Sequence, residues 1–156
     1  MIFPKIIKNM AFSKFTLIFI LIIGKLFAQS KADDIIGKWL TEKNEAVIQI
    51  FKTSNNHYAG KIIWLKEPLD NNGKPKTDIK NPKPELRNRP IMNLVILAGF
   101  EFDGKEWING IIYDAETGNT YKAKISMENY NKLILRGYIG SPIFGRSTTW
   151  TRRLDK

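Results

Sequence analysis

The stretch Thr120-Tyr-Lys-Ala-Lys-Ile-Ser-Met127 decides the fold, because its side chains alternate strictly between apolar and polar. A period of two is typical of a β-strand with one face against a core and the other facing water. The row that we expect to face inward consists of Tyr121, Ala123, Ile125 and Met127. The sequence on both sides of this stretch has the same character.

Short β-type runs continue in both directions, separated by turn sequences such as Asp103-Gly104 and Asp114-Ala-Glu-Thr-Gly118. The other seven predicted strands are Ile35–Glu42, Ala46–Lys52, Tyr58–Leu65, Ile91–Phe102, Glu106–Tyr113, Lys132–Ile139 and Gly145–Arg153. With one exception their connections are short, which favours pairing between neighbours in sequence. We therefore predict a single all-β domain, an antiparallel eight-stranded up-and-down barrel that leaves no sheet edge exposed. A two-sheet sandwich is the alternative.

Residues 1–28 have the pattern of a signal peptide. Lys5, Lys8 and Lys14 precede the apolar run 15–24, and Ala28 offers a small residue at the cleavage position. The alternative is an uncleaved membrane anchor, although the apolar run is short for a membrane-spanning helix. We expect the mature domain to comprise residues 29–156 and to be periplasmic or secreted.

The composition excludes several kinds of partner and site. Removal of residues 1–28 leaves 21 basic and 15 acidic residues, so the formal net charge falls from +10 to +6, and the excess is spread along the chain. We expect no nucleic-acid partner and at most weak association with an anionic surface of the cell envelope. The absence of cysteine excludes disulfides, a thiolate nucleophile and a cysteine-linked lipid anchor.

One connection is long: residues 66–90 have no strand pattern, and loops of that length tend to be lids or binding loops. Its second half, Asp78–Pro90, contains three prolines, which predicts a rigid segment with a short helical turn at Lys83–Arg87. Arg87 and Arg89 are two apart in an extended chain, so their side chains point the same way. Two parallel guanidinium groups require an anion between them.

That anion has two candidate sources. The favoured one is a local carboxylate, which would fasten the segment to the barrel as a lid: Asp78, Glu85 or Asp114. The other is a ligand carboxylate or phosphate, with Arg136 or Arg146 as a third donor.

The other candidate residues have mainly structural roles in the prediction. Asn81 is suited to an Asx turn, and Asp114 to stabilising the turn before Gly118. His57, the sole histidine, lies in a polar turn and is expected at the surface, so no catalytic triad is predicted. We predict no catalytic residue, no metal site and no cofactor.

Two motifs at the ends of the domain suggest how the barrel closes. Gly37-Lys38-Trp39 lies on the first strand and Trp150-Thr151-Arg152 on the last. The first and last strands of a barrel are neighbours, so Arg152 can stack on Trp39. The pair resembles the Gly-x-Trp and terminal arginine of the lipocalin and fatty-acid-binding (calycin) barrels. We assign Gly37, Trp39, Trp150 and Arg152 to barrel closure.

A longer pattern covers nearly all of the predicted mature domain. Its residues are Asp78, Asn81-Pro82, Arg87-x-Arg89-Pro90, Ile112-Tyr113-Asp114, Gly118, Tyr121, Arg136-Gly-Tyr-Ile-Gly140, Gly145-Arg146 and Trp150-Thr-Arg152. The pattern resembles the bacterial family known as domain of unknown function 2147, apart from Asn93, where the family usually has glycine. The resemblance implies a secreted or periplasmic calycin-like barrel with no established activity. The candidate ligand-binding or lid-fastening residues are Asp78, Asn81, Arg87, Arg89, Tyr113, Asp114, Arg136 and Arg146.

Three functional hypotheses follow. The first is an exported barrel that binds an unidentified small molecule, anionic or amphipathic, below a lid. The second is a structural or interaction protein of the envelope that uses the apolar stretch Ile91–Phe102 as a contact surface. The third and least favoured is a hydrolase that uses Asp78 or Asp114. The first leads by analogy with other barrels of this size.

Overall fold

In the computed structural model, which describes residues 31–154, eight antiparallel strands close into one barrel in sequence order. The strands are β1 (Gly37–Leu40), β2 (Ala46–Lys52), β3 (Tyr58–Leu65), β4 (Val95–Phe102), β5 (Trp107–Asp114), β6 (Asn119–Asn129), β7 (Lys132–Tyr138) and β8 (Arg146–Arg152). The up-and-down barrel is therefore confirmed over the sandwich. The predicted signal peptide lies outside the described residues.

The alternation in β6 has the predicted effect on burial. Ala123 and Ile125 are buried inside the barrel, whereas Lys122 on the other face is exposed. In this inward-facing row of β6, Ala123 and Tyr121 pair with Gly110 and Ile112 of β5. Ile125 pairs with Leu135 of β7. Leu135 and Ile125 belong to one apolar cluster of buried residues inside the barrel.

Two strands begin at least two residues later than predicted. β1 begins at Gly37, because Ile35 belongs to the turn that follows a short helical segment at residues 31–33 and is buried there. β4 begins at Val95, because Asn93 has a φ of 67° and interrupts the extended chain. Asparagine tolerates this left-handed conformation, which explains how it occupies a position where glycine is usual in the resembling family. No helix among the described residues is long and apolar enough to cross a membrane.

Arg152 closes one end of the barrel. β1 and β8 pair at Trp39 with Arg152 and at Leu40 with Thr151. The guanidinium carbon of Arg152 lies 4.2 Å from the ring centre of buried Trp39 and 4.1 Å from that of Tyr130. The same guanidinium donates to the carbonyl oxygens of residues 34, 36 and 130 at 2.5, 2.9 and 2.8 Å.

Gly37 belongs to the same closure. An added Cβ at this position would overlap a guanidinium nitrogen of Arg152. Gly37 therefore admits the arginine between the first and last strands. Trp150, which the sequence prediction also assigned to the closure, is buried in the core two residues before Arg152.

The opposite end carries the longer connections. The turn 41–45, the β3–β4 segment (residues 66–94), the turn 115–118 and the β7–β8 loop (residues 139–145) all lie there. The β3–β4 segment contains a short 3₁₀ helix at Pro84–Leu86, within the predicted helical turn. We call this end of the barrel the mouth.

Replacement of Arg152 by methionine should destabilise the domain by about 2–3 kcal/mol, because the hydrogen bonds to three carbonyl groups and the stacking on two rings are lost. Urea denaturation of the chain from Gln29 measures the loss. Arg153→Met is the matched control, since Arg153 is exposed and its guanidinium group lies 5.3 Å from the ring centre of Trp64. The control should change the stability by less than about 0.5 kcal/mol. Equal effects of the two substitutions would show that Arg152 does not close the barrel.

Candidate functional site

A cavity of about 870 Å³ opens at the mouth of the barrel. Its inner wall is apolar and consists of Ile48, Ile62, Ile96, Ile112 and Trp150. The β3–β4 segment contributes to the rim through residues such as Thr77, Ile79 and Ile91. The volume lies within the range of about 300–1,000 Å³ that is usual for small-molecule sites. The barrel is therefore only partly filled by its own side chains.

The rim of this cavity carries charges of both signs. Among the described residues that line it, the carboxylates are Glu42, Glu45, Glu67, Asp70, Asp114 and Glu116, and the ammonium groups are Lys43, Lys66, Lys76 and Lys80. Lys76 and Glu67 form an ion pair of 3.6 Å. The rim thus has an excess of negative charge above an apolar floor.

A buried carboxylate holds the β3–β4 segment against the barrel. The side chain of Asp78 is 0% exposed, and the Tyr113 hydroxyl of β5 donates to its Oδ1 at 2.5 Å. Its Oδ2 accepts from Asn81 Nδ2 at 2.7 Å and from Arg89 Nε at 2.9 Å. A second guanidinium nitrogen of Arg89 lies 2.7 Å from the same oxygen. We call Asp78, Asn81, Arg89 and Tyr113 the Asp78 cluster.

The hydrogen bonds of the cluster decide its protonation. Burial alone would raise the pKa of the Asp78 carboxyl group, but the donors Tyr113, Asn81 and Arg89 together outweigh burial and lower it. Burial raises the pKa of Tyr113, and its hydrogen bond to Asp78 adds to that effect. At neutral pH the cluster therefore contains a carboxylate, a neutral phenol and a guanidinium ion.

Backbone contacts complete the fastening. Asp78 N donates to Arg89 O, and Asn81 N donates to Asp78 O, each at 2.9 Å. Lys83 N donates to Asn81 Oδ1 at 2.9 Å, which is the Asx turn predicted for Asn81. Arg87 Nε donates to the Asn81 carbonyl oxygen at 2.8 Å. These contacts make residues 78–89 one folded unit.

Gly118 allows this unit to approach the turn between β5 and β6. Its φ is 77°, and an added Cβ would overlap the carbonyl oxygen of Lys80. A glycine is required here both by the backbone conformation and by the close contact. The β3–β4 segment is thus attached to β5 through Tyr113 and to the following turn through Gly118.

The predicted site residues fall into three groups. Asp78, Asn81, Arg89 and Tyr113 meet in the cluster, and Arg87 lies beside it, bonded to the Asn81 carbonyl group rather than to an anion. Asp114 lines the rim and accepts hydrogen bonds from Glu116 N at 3.0 Å and Thr117 Oγ1 at 2.7 Å. Arg136 and Arg146 lie apart from both groups, at the β7–β8 loop.

Other predicted residues lie far from the mouth. His57 Nε2 lies 3.1 Å from a carboxylate oxygen of Glu101 at the closed end. Within residues 31–154 no group of three or more histidine, cysteine, aspartate or glutamate side chains could hold a metal ion.

Of the residues that line the cavity, the sequence prediction named Tyr113 and Asp114 as site residues and missed the others. Ile112 could have been found from the register, because it pairs with Tyr121 in the predicted inward row. The rim residues gave no such signal, since lysines and glutamates in polar turns are usually simply solvated. The structure alone brings them around one opening.

Comparison with known proteins agrees with the geometry. Residues 37–152 match the model of the family described as "Uncharacterized protein conserved in bacteria (DUF2147)". A search of curated proteins gave no match. Protein HP1028 from the human pathogen Helicobacter pylori, which is described as belonging to the lipocalin family, is similar in fold. That similarity has a TM-score of 0.66 and 24% sequence identity, over 78% of this chain and 84% of the other.

Replacement of Asp78 by asparagine should destabilise the domain by about 2 kcal/mol at neutral pH, because it removes the charged acceptor of Arg89. Since the pKa of Asp78 is lowered in the folded state, its contribution is complete above the ordinary aspartate pKa of about 4. The contribution is lost as the pH falls below that value. Urea denaturation at several pH values should therefore show the stabilities of the wild type and of Asp78→Asn converging in acid.

Glu85→Gln, a substitution at an exposed residue of the same segment, is the control. A constant difference between wild type and Asp78→Asn down to pH values of about 2 would contradict the assignment.

Proposed function

Since the chain belongs to the DUF2147 family, whose description assigns no activity, we propose its function from its own geometry. The protein binds one small amphipathic ligand at the mouth of the barrel, beside the fastened β3–β4 segment. The observation that carries this proposal is the open cavity of about 870 Å³ with an apolar inner wall. The lipocalin-like fold is consistent with it.

The charges at the mouth favour a particular head group. The apolar wall would take up the hydrocarbon part of the ligand, and the rim would surround its polar end. Because carboxylates outnumber lysines at the rim, a neutral or cationic head group suits it better than an anionic one. The arginines that had suggested an anion site have protein partners: Arg89 binds Asp78, and Arg87 binds a carbonyl oxygen.

We propose further that the protein acts outside the cytoplasm. Residues 1–28 carry the basic, apolar and small-residue parts of a signal peptide. The domain from Ala32 to Trp150 contains all the described core residues, so removal of the leader leaves the barrel whole. A binding protein in the bacterial envelope accounts for both features.

The two competing hypotheses have less support. A hydrolase would need a carboxyl group with a raised pKa in the cleft, but the pKa of Asp78 is lowered and its side chain is fully buried. A contact surface along residues 91–102 would need that strand to be exposed. Leu94, Leu97 and Phe100 are instead buried in the core, and Val95 is the one large apolar side chain of this stretch that is exposed.

Replacement of Ile112 by tryptophan should fill part of the cavity and lower the affinity for a neutral apolar probe by roughly tenfold or more. The probe is N-phenyl-1-naphthylamine, whose fluorescence rises in apolar surroundings. Ile111→Trp is the matched control, since Ile111 is the next residue of β5 and faces outward, where it is 43% exposed. The control should bind the probe as the wild type does. A wild-type protein that fails to bind the probe, or equal loss in both variants, would refute the cavity as the site.

Competition with lauroyl compounds tests the charge preference. Monolauroylglycerol and lauroylcholine should displace the probe at lower concentrations than laurate, because the rim repels a carboxylate. Glu45→Lys combined with Glu116→Lys should shift the preference toward laurate by a factor of roughly three to ten. Glu101→Lys combined with Glu128→Lys changes the net charge equally but away from the rim, and should leave the preference unchanged. Tighter binding of laurate by the wild type would overturn this assignment while leaving the cavity itself in place.

A further inference from the structure

The β7–β8 loop exposes three large apolar side chains at the mouth. Ile139, Ile143 and Phe144 are 75%, 80% and 83% exposed. The loop, residues 139–145, contains no charged side chain. We call it the β7–β8 tip. Three neighbouring apolar residues of this exposure on a short projecting loop are costly in water and indicate a contact surface.

Arg136 holds the tip in shape. Its Nε donates to Pro142 O at 2.6 Å, Nη2 to Ile143 O at 3.1 Å and Nη1 to Ser147 Oγ at 2.9 Å. Gly145 N also donates to Pro142 O at 3.1 Å. These three acceptors are neutral, so none of them offsets the positive charge of the guanidinium group that keeps the loop folded. The apolar side chains are thereby held outward instead of collapsing onto the barrel.

The strands that carry the tip are basic. The charged side chains of residues 119–154 are Lys122, Lys124, Glu128, Lys132, Arg136, Arg146, Arg152 and Arg153. Glu128 lies at the closed end, away from the tip. Nearest the tip, exposed Lys122 pairs with Tyr138, and exposed Arg146 pairs with Gly137. Glu106 pairs with Lys124 at 2.9 Å and Glu42 accepts from Thr148 at 3.2 Å, so the positive charge near the tip comes from Lys122, Arg136 and Arg146.

We propose that the β7–β8 tip inserts its apolar side chains into the interfacial layer of an anionic lipid bilayer. Apolar side chains enter the headgroup region, and the surrounding basic residues are attracted to anionic lipids. A stable complex with a second protein copy needs about 800 Å² of surface from each partner, which a seven-residue loop does not supply. A lipid surface needs no complementary pocket.

Vesicle flotation tests the proposal with the chain from Gln29, which contains the complete described barrel and lacks the apolar leader. The wild type should bind vesicles that contain phosphatidylglycerol more tightly than vesicles of phosphatidylcholine alone. Ile143→Ser combined with Phe144→Ser should lower the partition coefficient by roughly tenfold or more. Arg146→Gln and Lys122→Gln should each lower it roughly fivefold.

Matched controls separate the tip from the rest of the surface. Val95→Thr combined with Ile111→Thr alters two exposed apolar residues on the outer wall, and Lys105→Gln removes a charge at the closed end. Both should bind vesicles as the wild type does. Circular dichroism of each variant checks that the barrel remains folded.

A tryptophan at the tip reports insertion directly. In Phe144→Trp, emission should shift to shorter wavelength on addition of the anionic vesicles, and brominated lipids should quench it. Absence of vesicle binding, equal binding to the two kinds of vesicle, or binding unaffected by the tip substitutions would each overturn the proposal. So would a lipid-free dimer in sedimentation equilibrium that the tip substitutions abolish, since the tip would then contact a second copy.

Discussion

The shape of the mouth depends on one buried charge, the carboxylate of Asp78. A connection of 29 residues between neighbouring strands would lose much conformational entropy on ordering, and it has little apolar surface of its own to offset that loss. The carboxylate supplies a fixed point instead, since it accepts hydrogen bonds from its own segment and from Tyr113 on β5. With Asp78 bound, Thr77, Ile79 and Ile91 are held at the rim of the cavity. Part of the cavity rim is thus held in place by a buried carboxylate that reaches the cavity only through Tyr113.

The arginines have two different structural roles in this protein. Arg89 neutralises a carboxylate, so its charge is compensated within the protein. Arg136 and Arg152 donate mainly to carbonyl oxygens, so each orders a loop or a strand end while keeping its charge. The planar guanidinium group with several fixed donors makes this possible, and lysine would not replace it. The positive face around β7 and β8 is a by-product of such structural use, and it is also what would attract an anionic membrane.

The sequence predicted the architecture well, because strand alternation, short turns and the paired motifs at the domain ends are local signals. The period-two row of β6 and the stacking of Arg152 on Trp39 both occur as expected. The ion pair of Asp78 with Arg89 was also among the predicted alternatives.

The cavity could not be predicted, since it depends on how far side chains from several strands reach into a shared space. The exposure of Phe144 gave no sequence signal either, because an apolar residue in a short loop is equally compatible with burial. Asn93 and Ile35 shifted two strand boundaries for reasons of backbone conformation and local packing.

The pairing of Trp39 with Arg152 also sets the order of events when the chain folds. More than a hundred residues separate these partners, so the last register of the barrel depends on a contact of very high sequence separation. A chain emerging in order from its N-terminus has hairpins available early, but it has two open sheet edges until β8 is free to pair. Closure must therefore follow release of the final strand. The risk of aggregation is therefore greatest in the period before the final strand pairs, when both sheet edges are still open.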